Sequence, residues 1–205
     1  MADDTLDAVC VRQATAGEVD AVAAALGFAF VGDPWIAWII AADRHQERIT
    51  ALQASLLGAV GLPHGEVWLA EHAGAVAGAA LWLLADRQVP ATAWSQVAAT
   101  ELQLMGDRHA GATSAAAATR HLRPSTAHHL LATLGVVPAL RRRGIGSALL
   151  VPTLERADRE DVDVYLETST EQNLRFYGRL GFEVTGHVVV PDGGPPVWAM
   201  LRGPR

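Results

Sequence analysis

The sequence predicts an α/β protein of the α+β type, in which a mixed β-sheet of about seven strands carries helices on both faces. Strand patterns alternate with helical patterns only in the middle of the chain, whereas β-hairpin patterns stand toward both ends. That order indicates a mixed sheet rather than a fully parallel one. Half of the 205 residues are hydrophobic, which is enough for one core. We therefore expect residues 1–205 to form a single domain.

The first half of the chain supplies three predicted strands, each bounded by turn or helix signals. Thr15 and Glu18 form a T-x-x-E capping box, which places a helix start directly after the first strand. Gly32-Asp33-Pro34 should end that helix, and we expect a short aromatic turn with Trp35 and Trp38 to follow. The predicted elements, in order, are a strand (9–14), a helix (15–30), a helix (43–62), a hairpin (66–71 with 75–84) and two helices joined by a loop (91–122).

The second half is built around an apolar run at residues 130–137, which predicts a buried central strand. Pro138 ends this strand, because proline has no N–H to donate to a ladder. A Pro- and Gly-rich segment, residues 191–196, is typical of the turn in a final hairpin. The remaining predicted elements are a helix opening at 144, a strand (162–168), a helix (171–180) and a hairpin (182–190 with 197–202).

Composition and charge exclude several classes of protein. The net charge of −6 argues against nucleic acid as the main partner. No apolar run reaches the roughly 18 residues that a membrane-spanning helix needs, and the acidic N-terminus is not that of a signal peptide. Cys10 is the only cysteine, which excludes a disulfide framework and a thiolate metal cluster. We therefore expect a cytoplasmic protein that binds neither nucleic acid nor membrane.

Three arginines and a glycine pair connect the central strand to the helix that follows it. Arg141, Arg142 and Arg143 precede Gly144-Ile145-Gly146-Ser147. N–H groups at a helix N-terminus attract anions, and glycine allows a ligand to approach the backbone closely. The turn therefore predicts a site for a phosphate or pyrophosphate. A tight turn with solvated arginines is the alternative; a dinucleotide fingerprint fits less well, because Leu149 stands where its third glycine belongs.

The glycine turn and the segments after it resemble the GNAT acetyltransferases. That family's acetyl-CoA motif, Q/R-x-x-G-x-G/A after a strand ending in L-x-V-x-P, is matched by VPALRRRGIGSALL at residues 137–150. The segments that match the second half of the family core are Leu166-Glu167-Thr168, Asn173, Phe176-Tyr177 and Leu180-Gly181-Phe182. The resemblance covers residues 9–202, and it implies the GNAT fold with acetyl-CoA as cosubstrate.

The resemblance also implies which residues hold the cosubstrate. Backbone groups of Leu134 to Val136 should bind the pantetheine, and an N–H near Val136 should polarise the thioester carbonyl. Backbone N–H groups from Arg142 to Ser147 should bind the pyrophosphate, and the arginine side chains should add charge. The implied binding residues are Leu134, Gly135, Val136, Arg141, Arg142, Arg143, Gly144, Ile145, Gly146, Ser147 and Asn173.

Two side chains are implied in catalysis. Tyr177 is expected to be the general acid that protonates the leaving thiolate. Glu167, at the end of a strand, is the expected general base, with His128, His129 or a water molecule as alternatives. The sequence holds no cluster at metal-ligand spacing, so we expect no metal.

The acceptor is expected to be the primary amine of a small molecule. Further segments resemble family members that acetylate aminonucleoside antibiotics. Trp35, Trp38, Trp82 and Trp94 are candidates for an aromatic acceptor pocket, with core packing as the alternative for each. Two other functions stay open, namely acetylation of a protein or peptide amine and a non-catalytic sensor that binds acyl-CoA. The sequence also leaves open whether the chain forms a homodimer.

Overall fold

Seven β-strands form one sheet in residues 9–205, which are the residues that the computed structural model describes. The strands are β1 (Cys10–Gln13), β2 (Glu66–His72), β3 (Ala75–Leu83), β4 (His128–Val136), β5 (Asp163–Thr168), β6 (Glu183–Val189) and β7 (Pro196–Arg202). Their order across the sheet is β1-β2-β3-β4-β5-β7-β6. Strands β4 and β5 run parallel, and the other neighbouring pairs are antiparallel. The mixed α/β sheet that the sequence predicts is therefore confirmed.

Helices cover both faces of this sheet. They are α1 (Val19–Ala29), α2 (Pro34–Ile39), α3 (His45–Leu56), α4 (Leu62–His64), α5 (Ala91–Met105), α6 (His109–Thr119), α7 (Ile145–Glu160) and α8 (Glu171–Arg179). A π-helical segment, Leu57–Gly61, joins α3 to α4, so the single helix expected over residues 43–62 is interrupted. None of the helices between residues 9 and 205 is long and apolar enough to cross a membrane.

The sheet separates two apolar layers. On one face, Trp82 of β3 and Leu131 of β4 lie in a buried cluster with residues of α7 and α8. On the other face, Leu69 of β2 and Leu81 of β3 are buried with residues of α1. Side chains alternate between the faces of a strand, so neighbours such as Leu81 and Trp82 enter different layers. Each large apolar side chain buried in this way stabilises the fold by roughly 1.5–3 kcal/mol.

The capping box opens a short 3₁₀ turn, Ala16–Glu18, which leads directly into α1. The backbone N–H of Thr15 donates to Oε2 of Glu18 at 2.8 Å, and the Thr15 hydroxyl donates to the same oxygen at 2.8 Å. The Arg12 guanidinium contacts the other carboxylate oxygen at 2.6 Å. Hydrogen bonds from Arg12 and from Thr15 lower the pKa of Glu18 to about 2. The capping carboxylate therefore stays ionised, and it satisfies an N–H that a helix start would otherwise leave unpaired.

The segment after α1 differs from the expected aromatic turn. Residues Pro34–Ile39 form α2, and Asp33 caps this helix because its Oδ1 accepts the N–H of Ile36 at 3.1 Å. Proline suits the first helical position, where its missing N–H needs no partner. The expectation of a turn was wrong because Gly32-Asp33-Pro34 both separates α2 from α1 and begins the new helix.

Candidate active site

Strands β4 and β5 separate soon after they begin. Residues 128–130 pair with residues 163–165, and beyond Leu130 the ladder of β4 continues only with β3. The gap between the two strands opens a cleft in the middle of the sheet. The register between β3 and β4 shifts at Leu81 and Trp82, which leaves Ala132 as an extra residue in β4. Such a bulge bends its strand locally, here next to the opening.

The backbone of Val136 faces this cleft. The N–H of Val137 donates to the carbonyl oxygen of Ala77 in the β3 direction at 2.9 Å. The N–H and C=O groups of Val136 point the opposite way, because consecutive residues of a strand alternate. Arg141 fits this geometry, since its Nε donates to the Val136 carbonyl oxygen at 3.1 Å. An amide N–H at the end of the central strand is thus presented to the cleft.

Two cavities occupy the cleft, and their charges differ. The larger has a volume of about 720 Å³ and is called the basic cavity here. The charged groups that line it are Arg141, Arg142, Arg175, Arg179 and a single carboxylate, Asp33. The smaller has a volume of about 310 Å³ and is called the acidic cavity. Its lining holds Asp33, Glu101 and Glu167 but no arginine, lysine or histidine of the described residues.

The N-terminus of α7 forms one wall of the basic cavity. Gly144 caps this helix in the left-handed conformation, with φ of +82°, which glycine adopts without steric cost. The N–H of Ala148 donates to the Gly144 carbonyl oxygen at 3.0 Å, as the first turn of the helix requires. The N–H groups of Ile145, Gly146 and Ser147 precede that bond and have no partner within the helix. Together with the helix dipole, they suit a pyrophosphate.

The three arginines of the turn have different surroundings. Arg141 is tied to the protein, because its Nη2 donates to the carbonyl oxygen of Ala29 and its Nε to that of Val136. Arg142 lines the basic cavity, whereas Arg143 is exposed and is not among the lining residues. Arg142 also adopts a left-handed conformation, with φ of +63°. Arg141 and Arg142 thus both line the basic cavity, and Arg141 also fixes the turn against β4 and α1.

Tyr177 stands where the two cavities meet. The residues that line both are Phe30, Asp33, Leu134, Asn173 and Tyr177. The Tyr177 ring is buried and packs edge-on against Phe176 and Phe182, with centroids 4.9 and 5.7 Å away. Burial raises the pKa of Tyr177, and the nearby Asp33 carboxylate raises it further. The phenol is therefore neutral at physiological pH and available as a proton donor.

Asn173 is held in place at the start of α8. Its backbone N–H donates to Oγ1 of Thr170, the N-cap residue, at 3.3 Å. Its Nδ2 donates to Oγ1 of Thr168 at 2.9 Å, which leaves the amide oxygen for other partners. Because Thr168 ends β5, this contact fixes α8 and Tyr177 relative to the splayed strand.

The acidic cavity brings together polar groups from four different elements. Glu167 of β5 accepts a hydrogen bond from the buried Tyr165 hydroxyl at 2.8 Å, which orients the carboxylate. Burial raises the pKa of Asp33, and burial likewise raises that of Glu101 on α5. Gln53 of α3 is only 3% exposed, and its Oε1 has no hydrogen-bond partner among the described residues. An unsatisfied buried acceptor costs about 1–3 kcal/mol, and this oxygen is shielded from the cavity as well as from solvent.

The two histidines named as alternative bases lie outside this cavity. His129 is fully buried on the α7 side, where its Nδ1 accepts the N–H of Ala85 at 3.0 Å. Its Nε2 lies 3.6 Å from a carboxylate oxygen of Glu160. The Nδ1 of His128 contacts the Thr126 carbonyl oxygen at 2.7 Å, and its ring packs on Tyr165. Neither ring is among the lining residues of the cleft.

The four tryptophans named as candidates for an acceptor pocket do not lie around one cavity. Trp35 alone lines the acidic cavity. Trp82 is fully buried in the core, and Trp94 is 42% exposed on α5. Trp38 packs with the buried cluster that contains Ala115 and Val197. An aromatic acceptor pocket made of all four is therefore ruled out.

Three polar lining residues, Asp33, Gln53 and Glu101, were not named individually as site residues from the sequence. Asp33 caps α2, which accounts for an aspartate at this position without any role in a site. Its side chain nevertheless lines both cavities. Gln53 occupies a buried position of α3, between Leu52 and Ala54, where an apolar residue would be the ordinary choice. A polar residue on the apolar side of a helix was the signal that could have found it. Within the described residues, no group of three potential ligands is placed to hold a metal ion.

The site has the layout of an enzyme that moves a group from one ligand to another. One cavity suits an elongated donor with an anionic end, the other suits an amine, and a phenol stands between them. A strand amide at the junction can polarise a carbonyl. Fold and cleft thus have the layout that the resemblance to the GNAT acetyltransferases implies.

Comparison with known proteins identifies the family. A family model described as "Acetyltransferase (GNAT) domain" matches residues 63–184, more than half of the chain. The chain belongs to the GNAT acetyltransferases. Enzymes of this family use acetyl-CoA as cosubstrate, and the chain is an N-acetyltransferase that transfers the acetyl group to an amine.

Solved structures agree with this assignment. A Corynebacterium glutamicum protein described as "histone acetyltransferase HPA2 and related acetyltransferase" is 25% identical, with a TM-score of 0.72 over 96% of this chain and 97% of that one. The Escherichia coli ribosomal-protein-S18-alanine N-acetyltransferase is 15% identical, with a TM-score of 0.57 over 96% and 94%. The Drosophila melanogaster polyamine N-acetyltransferase is 17% identical, with a TM-score of 0.57 over 96% and 100%. The last two are similar in fold alone.

Proposed function

We propose that this enzyme acetylates the primary amine of a small molecule, with Tyr177 as general acid and Glu167 as general base. The observation that carries the proposal is the position of Tyr177, whose side chain lines both the basic and the acidic cavity. A thiolate that leaves into the basic cavity and an amine that attacks from the acidic cavity would both lie beside this phenol. Glu167 lies only on the acidic side, where a base must act.

The reaction then proceeds by direct attack. An ammonium in the acidic cavity loses a proton to Glu167, directly or through a water molecule, and the neutral amine attacks the thioester carbonyl carbon. The carbonyl oxygen becomes negative and is stabilised by the Val136 N–H, a contribution of about 3–4 kcal/mol for one preorganised donor. The carbon–sulfur bond breaks, the thiolate takes the Tyr177 proton, and the amide nitrogen releases its remaining extra proton. The products are an acetamide and coenzyme A, and bulk solvent restores the tyrosine proton.

The raised pKa of Tyr177 is compatible with this role. In water, a phenol of pKa about 10 protonates a thiolate of pKa about 8.5 only against a free-energy difference of about 2 kcal/mol. Burial raises the pKa of Tyr177 further. A thiolate expelled into the same buried junction is desolvated too, so its own pKa rises for the same reason. The two pKa increases partly cancel, so the free-energy cost of moving the proton from Tyr177 to the thiolate stays small enough for the reaction.

Puromycin is the acceptor that we propose, on the strength of a resemblance to puromycin N-acetyltransferase. The resembling segments are Asp43-Arg44-His45, Glu47-Arg48, Leu52-Gln53, residues 67–70, residues 131–136, Gly146-Ser147-Ala148, Pro152, residues 166–169, Asn173-Leu174, Phe176-Tyr177, Val190-Pro191, Gly193, Trp198 and Met200. Gln53, Glu167 and Ser169 from these segments line the acidic cavity. Asp33 and Glu101, which also line it, lie in segments that diverge from that enzyme.

The test is to incubate the protein with acetyl-CoA and puromycin and to follow the release of free thiol. Thiol release that depends on puromycin, with acetylpuromycin identified by mass spectrometry, is the expected result. Turnover with other amines but not with puromycin would overturn the acceptor and leave the reaction standing. Failure to transfer acetyl to any member of a broad panel of small amines would overturn the reaction.

A further inference from the structure

The basic cavity has a second pair of arginines, which lies outside the glycine turn. Arg175 and Arg179 belong to α8, whereas the turn supplies Arg141 and Arg142. The chain as a whole has a net charge of −6, yet this cavity is lined by four arginines and one carboxylate. A pyrophosphate diester carries two negative charges, and the turn with the N-terminus of α7 is enough to balance them. The α8 pair therefore supplies positive charge beyond what the pyrophosphate needs.

The two α8 arginines lie on one side of their helix. Gln172, Arg175 and Arg179 are spaced three and four residues apart, so their side chains are neighbours along the surface of α8. All three line the basic cavity and are exposed to solvent, which places them at its mouth. Asn173 and Tyr177, on the adjacent side of the helix, line the junction with the acidic cavity instead.

The protein itself does not neutralise these arginines. No hydrogen bond or ion pair joins Arg175 or Arg179 to any other of residues 9–205. Glu171 stands one turn before Arg175, a spacing that favours an ion pair on a helix, yet the two do not pair. Arg156 and Arg202, in contrast, each bind carboxylates of the protein. Both α8 guanidinium groups are therefore free to bind an anion on a ligand.

Helix α8 packs directly on the pyrophosphate site. A Cβ at Gly146 would lie 3.4 Å from the Phe176 ring, so the first turn of α7 touches α8 there. Phe176 follows Arg175 and precedes Arg179 by less than one helical turn. The α8 arginines thus lie beside the N–H groups that suit a pyrophosphate, but on a different element. This arrangement suits a ligand with a second phosphate close to its pyrophosphate.

We propose that Arg175 and Arg179 bind the 3′-phosphate of coenzyme A and make the enzyme selective for coenzyme A over its 3′-dephospho form. The 3′-phosphate stands on the ribose next to the pyrophosphate and, as a phosphate monoester, carries nearly two negative charges at neutral pH. The planar guanidinium of arginine matches a phosphate because it donates two parallel hydrogen bonds. The inference concerns the acetyl donor alone and does not depend on which amine accepts the acetyl group.

Calorimetry tests the assignment without any turnover. Dissociation constants are measured for coenzyme A and for 3′-dephospho-coenzyme A, which differ only in this phosphate. We expect the wild type to bind coenzyme A about tenfold more tightly than the dephospho form. The preference should decrease as the salt concentration is raised, because the contacts are exposed to solvent.

Two single variants and their combination locate the preference. Arg175→Gln and Arg179→Gln should each reduce it about threefold, and the double variant should reduce it to about twofold or less. The affinity for dephospho-coenzyme A should stay within about twofold in all three variants, since that ligand lacks the group that the arginines bind. Arg159→Gln removes an exposed arginine of α7 that does not line the cavity, and it should leave the preference unchanged.

Equal affinities of the wild type for the two ligands would overturn the 3′-phosphate site, and so would a preference that survives in the double variant. If the double variant binds both ligands more weakly to the same extent, the arginines only support α8 and the assignment is wrong. If the preference and its loss are found but no amine is acetylated, the proposed function fails and the 3′-phosphate site stands.

Discussion

The two cavities of the cleft differ in the kind of group that lines them, backbone in one and side chains in the other. The basic cavity owes its binding groups mainly to the backbone, with the N–H groups at the start of α7 and the end of β4 presented to the ligand. The acidic cavity owes its character to side chains from α2, α3, α5 and β5. A backbone site needs a particular loop conformation, whereas a side-chain site needs particular residues on elements that are far apart in sequence. Substitutions should therefore affect the two ligands separately, except at the junction.

The largest effect is expected at the junction, from Tyr177→Phe. The ring packing on Phe176 and Phe182 is kept, so only the proton donor is lost. We expect kcat to fall about 10²–10³-fold, the range of general acid catalysis. The Kd of acetyl-CoA, measured by calorimetry, should stay within about twofold. An unchanged kcat would mean that water, not the phenol, protonates the thiolate.

A smaller effect, confined to the acidic side, is expected from Glu167→Gln. At neutral pH the acceptor must lose a proton before it attacks, so kcat/KM for the amine should fall about 10–10²-fold. The loss should shrink as the pH approaches the pKa of a free amine, about 10, because the neutral amine then forms without a base. The measurement is a pH profile of kcat/KM for the wild type and the variant.

Tyr165→Phe provides the matched control for that profile. It removes the hydroxyl that orients Glu167 but keeps the carboxylate. The decrease in kcat/KM should be smaller than that of Glu167→Gln, and the pH profile should have the same shape as that of the wild type. Parallel profiles for Glu167→Gln and the wild type would show that the carboxylate is not the base.

On the basic side, Gly144→Ala should weaken acetyl-CoA about fivefold to tenfold. A residue with a Cβ pays about 1–2 kcal/mol in the left-handed conformation that Gly144 adopts at φ of +82°. That strain disturbs the N–H groups at the start of α7, while KM for the acceptor should not change. Gly17→Ala is the control, since a Cβ there meets open space outside the cleft. A change in acceptor KM alone would contradict the division between the cavities.

The smallest effect on activity is expected from His129→Leu, which lies outside both cavities. Because the Ala85 N–H loses its acceptor, the free energy of unfolding should fall by about 1–2 kcal/mol. Burial, and then Arg156, lower the pKa of His129 in the folded protein. The unfolded chain therefore binds a proton first as the pH falls below about 6.5, and wild-type stability declines in that range.

Urea unfolding between about pH 5 and pH 7.5 measures this contribution. The variant should show a flatter dependence on pH than the wild type, and kcat/KM of the folded enzyme should stay within about twofold. A large decrease in kcat for His129→Leu would indicate that His129 acts as the general base. The cleft would then have to differ from the one described.

The same contrast explains how much the sequence could predict. The residues of the glycine turn are contiguous, and their conformation follows from local rules, so the motif at residues 137–150 could be recognised from the sequence, and its residues line the basic cavity. The mixed character of the sheet followed equally from hairpin patterns toward both ends and strand–helix alternation in the middle.

The acidic cavity could not be assembled in that way. Asp33, Gln53, Glu101 and Glu167 come from four elements, and only the packing of helices against the splayed strands brings them together. Of these, only Glu167 was named as a catalytic or binding residue from the sequence, because it stands in a recognisable segment. The two alternatives for the tryptophans stayed open for the same reason, because composition indicates that aromatic residues are present but not which face they occupy.

The early parting of β4 and β5 has a consequence for the stability of the sheet itself. Residues 131–136 are hydrogen-bonded to a neighbouring strand on one side only, although they belong to the central strand. An edge of this kind normally lies at the rim of a sheet, where it opens and exchanges its amide protons most readily. This protein carries such an edge in its interior. Residues 131–136 of its central strand therefore have a hydrogen-bonding neighbour only in β3 until an extended ligand lies on the other side.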